Sequence, residues 1–181
     1  MFSNFFKKRK SFQSVKQSIL IPREKKDREP PLSYSWIITN RLAIGPMPKT
    51  FSHWAQLAGD GFQRRFSCCY PYEHIFAAIP DSWNSREVSL PDHRDQNPLD
   101  KQTLINALES AKEMLDDSGE PLYLHCFAGQ ERSALMAIGL VSILEDKDLF
   151  DSIAFVRQCH KRAQPLYSHL DILEQVLKEL T

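Results

Sequence analysis

Apolar positions along the chain fall into short bursts separated by longer helical stripes. Trp36-Ile37-Ile38 and Leu42-Ala43-Ile44 flank the turn Thr39-Asn40-Arg41 and predict an antiparallel strand pair, which Gly45-Pro46 ends. Thr50 to Leu57 reads as a short helix stopped by Gly59-Asp60-Gly61, and Arg65 to Tyr70 as a compact buried strand closed by Pro71. Val88 to Leu90 predicts another brief strand, from which a polar loop, Pro91 to Pro98, leads to a helix starting near Asp100. From Lys101 to Leu115 the spacing turns helical, with Leu104, Ala107, Leu108, Ala111 and Leu115 on one stripe that Ser118-Gly119 interrupts. Leu122-Tyr123-Leu124 then predicts a buried strand, and Ala134 to Leu144 a helix packed on most sides. Two further helices, about Leu149 to Arg162 and Ser168 to Leu180, are parted by Gln164-Pro165.

Strands alternating with helices predict an α/β fold, a single domain with a central, mostly parallel sheet flanked by helices on both faces. Such sheets place their sites at the carboxyl ends of strands. The 181 residues are enough for one sizeable core and too few for two ordinary domains. Charge divides the chain unevenly. Residues 1–31 hold nine Lys and Arg against three Asp and Glu, show no sustained apolar period and end in Pro30-Pro31. They predict a basic, flexible arm before an acidic folded domain over residues 32–181. Phe2, Phe5, Phe6 and Phe12 beside the basic residues offer weak contact with an anionic surface, although a solvated tail is the plainer expectation.

No run of eighteen uncharged apolar residues occurs, and Phe2 to Phe6 lacks a signal-peptide core before Lys7-Lys8-Arg9-Lys10. A soluble, cytoplasmic monomer is expected. Cys68, Cys69, Cys126 and Cys159 form no CxxC pair, which points to a reducing compartment and to neither a disulfide scaffold nor a metal site.

The chemistry concentrates in Leu122-Tyr123-Leu124-His125-Cys126-Phe127-Ala128-Gly129-Gln130-Glu131-Arg132-Ser133, a strand, a tight loop and a helix start. A loop entering a helix N-terminus turns successive N–H groups inward and makes a concave anion site, for which Gly129 gives the backbone its freedom. The same field stabilises a thiolate on Cys126, whose sulfur is then nucleophilic at neutral pH. The planar fork of Arg132 can bind two oxygens of a phosphoryl group as it transfers. Ser133 is placed to donate to the sulfur and make it a better leaving group, and His125 to orient the loop rather than act as base. Phe127, Ala128, Gly129, Gln130 and Glu131 would surround the phosphate.

This segment resembles the His-Cys-five residues-Arg-Ser/Thr signature of the cysteine-dependent protein tyrosine and dual-specificity phosphatase superfamily, and the likeness extends over roughly Trp36 to Leu180. The opening hairpin and Gly61-Phe62 before a strand are similar to the small dual-specificity class, including its bacterial members. The resemblance implies a phosphocysteine intermediate, no cofactor or metal, and a general acid about thirty residues before the cysteine. Asp92 and Asp95 stand thirty-four and thirty-one residues before it. Leu90-Pro91-Asp92-His93 resembles one family wording and Asp95-Gln96-Asn97-Pro98 another; Asp92 is preferred as the acid. Near a predicted helix end, His160, Lys161 and Arg162 offer the site a basic rim, against a plain helix end favoured by cations. The resemblance to relatives with a second cysteine nearby implies reversible pairing of Cys68 or Cys69 with Cys126, against a buried core role.

With no Lys or Arg between Cys126 and Arg132, and with Glu131 opposing highly anionic substrates, a phosphoprotein carrying phosphotyrosine is the expected substrate, with phosphoserine and phosphothreonine open. Nucleic acid is not an expected partner. A catalytically weak phosphoprotein-binding module and a phosphatase of a non-protein phosphomonoester are the alternatives.

Overall fold

The computed structural model describes residues 30–74, 78–117 and 119–180. All but Pro30 and Pro31 of the predicted basic arm lies outside them, as does Ser118 of the predicted helix break. Among the described residues, five strands form one sheet: β1 (Ser35–Ile38), β2 (Leu42–Pro46), β3 (Arg64–Ser67), β4 (Asn84–Glu87) and β5 (Leu122–Cys126). Their order is β1-β2-β5-β3-β4, with β1 and β2 antiparallel and every other neighbouring pair parallel. The helices are α1 (Phe51–Gly59), α2 (Lys101–Asp116), α3 (Arg132–Glu145), α4 (Leu149–Cys159) and α5 (Tyr167–Leu180).

Strand alternation sorts the side chains between two cores. Leu42, Ile44, Leu122 and Leu124 face the larger one, with Leu104, Leu108, Ile138, Val156 and Leu173 from α2 to α5. Ala43 and Tyr123 face the smaller one, where Trp54 and Leu57 of α1 pack with Phe62 and Trp83. Helices therefore cover both faces, four on one and one on the other. The predicted α2 stripe is buried in full, joined by Met114. Helix α3 is buried from Arg132 through Ser142, as its nearly continuous apolar run demands. Three helices start on side-chain caps: Thr50 accepts from the His53 amide, Asp100 from Thr103 and Asp148 from Asp151.

Three boundaries differ from the sequence expectation. Strand β3 stops at Ser67, short of Tyr70. The edge strand β4 runs over Asn84–Glu87, ahead of the predicted Val88 to Leu90; it is polar and largely exposed, so no apolar alternation marks it. Val88 and Leu90 still donate backbone hydrogen bonds to Ser67 and Cys68, extending the pairing irregularly towards the loop that follows. Helix α4 ends at Cys159 rather than Arg162, because His160 leaves the helical conformation.

Candidate active site

Strand β5 is central, flanked by β2 and β3, and it ends at Cys126, where its partner on β2 is Pro46. Residues 127–131 then turn directly into α3. Cys126 is buried, and its Sγ lies 3.3 Å from Ser133 Oγ. Gly129 adopts φ +72°, and a Cβ there would meet the Gly45 carbonyl carbon at 2.5 Å and the Pro46 nitrogen at 2.7 Å. The loop can lie against β2 only with glycine at this position. Gly129→Ala is expected to lower the melting temperature and to reduce activity through loop displacement, read by thermal melts and by oxyanion affinity.

Arg132 is buried and its fork is gripped by Glu73, a residue that the sequence reading missed. Nη1 donates to Glu73 Oε2 at 2.6 Å and Nη2 to Oε1 at 2.9 Å, while Nη1 also reaches the carbonyls of Cys68 and Leu90. Glu73 sits in a 3-10 turn, Pro71–Glu73, just beyond β3, and its carboxylate also accepts from the Tyr70 amide. The sequence signal was an acidic residue at the carboxyl end of a strand, where sites of this fold class collect. Burial alone would raise the Glu73 carboxyl, but the Arg132 and Tyr70 hydrogen bonds outweigh it and hold the group below its ordinary value.

A cavity of about 260 Å³ opens over Cys126 and Arg132, walled by Phe127, Ala128, Gln130 and Glu131 from the loop and by Asp92, His93 and Arg94 from the facing one. The structure thus brings together most of the sequence-predicted residues. Asp92 lines the cavity, with Oδ2 3.3 Å from Arg132 Nη2, and both its oxygens accept from Arg94 Nε at 3.1 Å. Burial pushes its carboxyl up, yet the Arg94 hydrogen bonds and the Arg132 charge prevail and bring it down to about 2. Asp95 does not line the cavity. It accepts from the Asp92 amide at 2.7 Å and donates its own amide to the Asp92 carbonyl, closing the turn that presents Asp92.

Behind the loop, His125 Nε2 lies 3.1 Å from Arg65 Nη1, and Arg65 Nη2 pairs with Glu87 at 3.2 Å. Burial drives the His125 pKa well below its ordinary value, so the neutral ring accepts from the guanidinium and ties β5 to its neighbours.

His160 is not part of a basic rim. It is buried, with Nε2 donating to the Gly129 carbonyl at 2.9 Å and Nδ1 accepting from Ser35 Oγ at 2.9 Å. Burial lowers its pKa, so it braces the loop as a neutral ring. Lys161 is exposed, and the Gln130 amide, turned so that its oxygen faces Arg162, accepts from Arg162 Nε at 3.1 Å. Cys68 and Cys69 sit in the same apolar core as Cys126, and burial pushes the Cys68 thiol well up and Cys69 to about 12.

No family model matches the chain. An 86-residue stretch is 28% identical to the dual specificity protein phosphatase PHS1 of Arabidopsis thaliana, covering 48% of this chain and only 9% of that protein's length. Among solved structures, PTPMT1 in complex with PI(5)P superposes with a TM-score of 0.69 at 17% identity, over 81% of this chain and 96% of that one. Tk-PTP in its active form gives 0.68 at 18%, over 81% and 97%. The human tyrosine phosphatase-like serine/threonine/tyrosine-interacting protein gives 0.67 at 20%, over 78% and 93%. The fold is the one that these phosphatase and phosphatase-like structures share. The sequence match is to a dual-specificity phosphatase.

No helix among the described residues is long and apolar enough to cross a membrane.

Proposed function

We propose that the protein hydrolyses phosphoric monoesters through a phosphocysteine on Cys126. One observation carries this reading: Cys126, Arg132 and Asp92, drawn from two loops, wall a single cavity, and the buried Ser133 Oγ stands 3.3 Å from the sulfur. The buried Nε of Arg132 has no hydrogen-bond partner among the described residues, and an oxyanion in the cradle would satisfy it.

In the first step the Cys126 thiolate attacks phosphorus, Arg132 and the loop amides hold the non-bridging oxygens, and Asp92 gives its proton to the leaving oxygen. In the second, water attacks the phosphocysteine with Asp92 as base, and Ser133 donates to the departing sulfur. Hydrogen bonds from Arg94, backed by the charge of Arg132 that Asp92 shares with Glu73, keep the Asp92 carboxyl ionised. A phosphoryl dianion drawn to the same guanidinium would set negative charge beside Asp92 and favour its protonated form.

The substrate reading is phosphotyrosine in a phosphoprotein, with phosphoserine and phosphothreonine as further substrates. It is supported by the loop's lack of cations and by Glu131 at the cavity wall. A non-protein phosphomonoester is the second reading, because the PTPMT1 fold binds PI(5)P with a comparable scaffold.

The test is turnover of 4-nitrophenyl phosphate with a chelator present, beside phosphotyrosine peptides and phosphoinositides. Asp92→Asn is expected to slow turnover by about a hundredfold and to remove its limb from the pH profile of kcat. Asp95→Asn is expected to cost far less and to keep that limb. Absence of turnover by the wild type on every substrate would refute the hydrolase and leave phosphoprotein binding.

A further inference from the structure

Across the mouth of the cavity, Glu131 meets His93. Glu131 belongs to the loop that enters α3, and His93 follows Asp92 on the facing loop. His93 Nδ1 lies 2.7 and 3.0 Å from the two carboxylate oxygens, and the His93 amide points at the second of them from 3.4 Å. A carboxylate accepts only, so Nδ1 carries the proton, and one carboxylate of the nucleophile's loop holds two donors of the acid's loop. The two loops also meet where the Arg94 guanidinium lies 5.9 Å from the Phe127 ring centroid.

We propose that His93 and Glu131 form a clasp that holds the facing loop closed and so positions Asp92 against Cys126 during turnover. The proposal rests on the phosphatase reading and makes both residues positioning residues. Neither is asked to touch the reacting atoms.

The location sets the strength of the clasp. His93 is 62% exposed, so the pair is worth little as a source of stability and is suited to opening and closing. Its charge state depends on a small set of groups. The hydrogen bond and charge of Glu131 raise the His93 pKa, with Asp92 acting in the same sense and Arg94 against it. On α5, His169 senses the same carboxylates, Glu131, Asp92 and Asp95, and burial keeps its own pKa low. Protonated His93 therefore makes a charge-assisted bond and offsets Glu131 at the cavity wall. Loss of that proton weakens the bond and leaves the Glu131 charge facing an incoming phosphate.

Asp92, His93 and Glu131 also place ligand atoms within 4.8 Å of one another, spaced as for a metal ion. Arg94 already covers both Asp92 oxygens, which favours the contact between loops, and a chelator in every assay separates the two.

The experiment compares phenyl phosphate, whose leaving group needs the acid, with 4-nitrophenyl phosphate, which needs it less. His93→Ala and Glu131→Gln are expected to lose about tenfold in kcat with phenyl phosphate and no more than about threefold with the nitrophenyl ester. The wild type should show an alkaline limb of histidine type that both variants lack. His93→Asn puts an amide donor where Nδ1 stood; it should restore phenyl phosphate turnover without that limb. Equal losses on both esters, or an unchanged pH profile, would overturn the clasp. Titration of the His93 ring by NMR needs no activity: its midpoint should fall in Glu131→Gln. An unmoved midpoint refutes the contact itself, whereas a wild type that turns over neither ester refutes the phosphatase reading.

Discussion

Cys126→Ser is expected to lower turnover of 4-nitrophenyl phosphate by at least about a thousandfold while leaving the fold and oxyanion binding in place. The substitution exchanges one chalcogen for another at a buried position, so neither volume nor packing changes enough to disturb β5 or α3. What changes is the nucleophile. The loop amides and Arg132 stabilise a thiolate far more readily than an alkoxide, whose parent alcohol gives up its proton much less easily. Ser133, 3.3 Å from the sulfur, offers a donor to a leaving thiolate and no base to activate a serine. Phosphate or tungstate affinity by calorimetry should stay within about threefold of wild type, because the cradle is intact. Retention of more than a hundredth of the wild-type rate would exclude attack by Cys126.

The residues that could be read from sequence are those whose partners lie nearby along the chain. Leu122 to Ser133 carries strand, loop, glycine and helix in one stretch, so Cys126 and Arg132 and their relation were visible without the fold. The stripe of α2 and the start of that helix near Asp100 follow from the same short-range rules. Relations between distant loops were hidden. Glu73 grips an arginine 59 residues away, His160 braces a carbonyl 31 residues before it, and His93 meets Glu131 across 38 residues. His160 was misread because its residue type suggests charge, whereas its burial between β1 and the loop demands a neutral ring with both nitrogens bonded. Strand β4 escaped because its edge position rewards polar residues and leaves no alternation to find. The choice between Asp92 and Asp95 turned on direction. One side chain faces the cavity and the other folds back on the loop's own amide, which spacing alone does not encode.

Arg132→Lys and Glu73→Gln should separate geometry from charge in the buried pair. Lysine keeps a cation beside Glu73 but loses the fork that meets two oxygens at once. Turnover should fall by about a hundredfold to a thousandfold, with only a modest loss of thermal stability. Glu73→Gln has the opposite emphasis. It leaves a buried guanidinium facing a neutral amide, with Asp92 and two carbonyls as its remaining partners, and should cost about 3 kcal/mol of unfolding free energy. Released from Glu73, Arg132 would draw closer to Asp92 and misplace the acid, so activity should fall as well, more steeply for poor leaving groups. The pH dependence of stability gives an independent reading. Glu73 and Asp92 are both held below their ordinary values in the folded chain, so they stabilise it above the unfolded carboxyl range and lose that contribution as pH falls. The wild type should therefore lose stability from about pH 4.5 downward, and Glu73→Gln should be less stable at pH 7 with a shallower acid decline. Identical acid slopes in the two proteins, measured by denaturant titration at each pH, would show that the Glu73 to Arg132 pair does not carry the charge that the structure assigns to it.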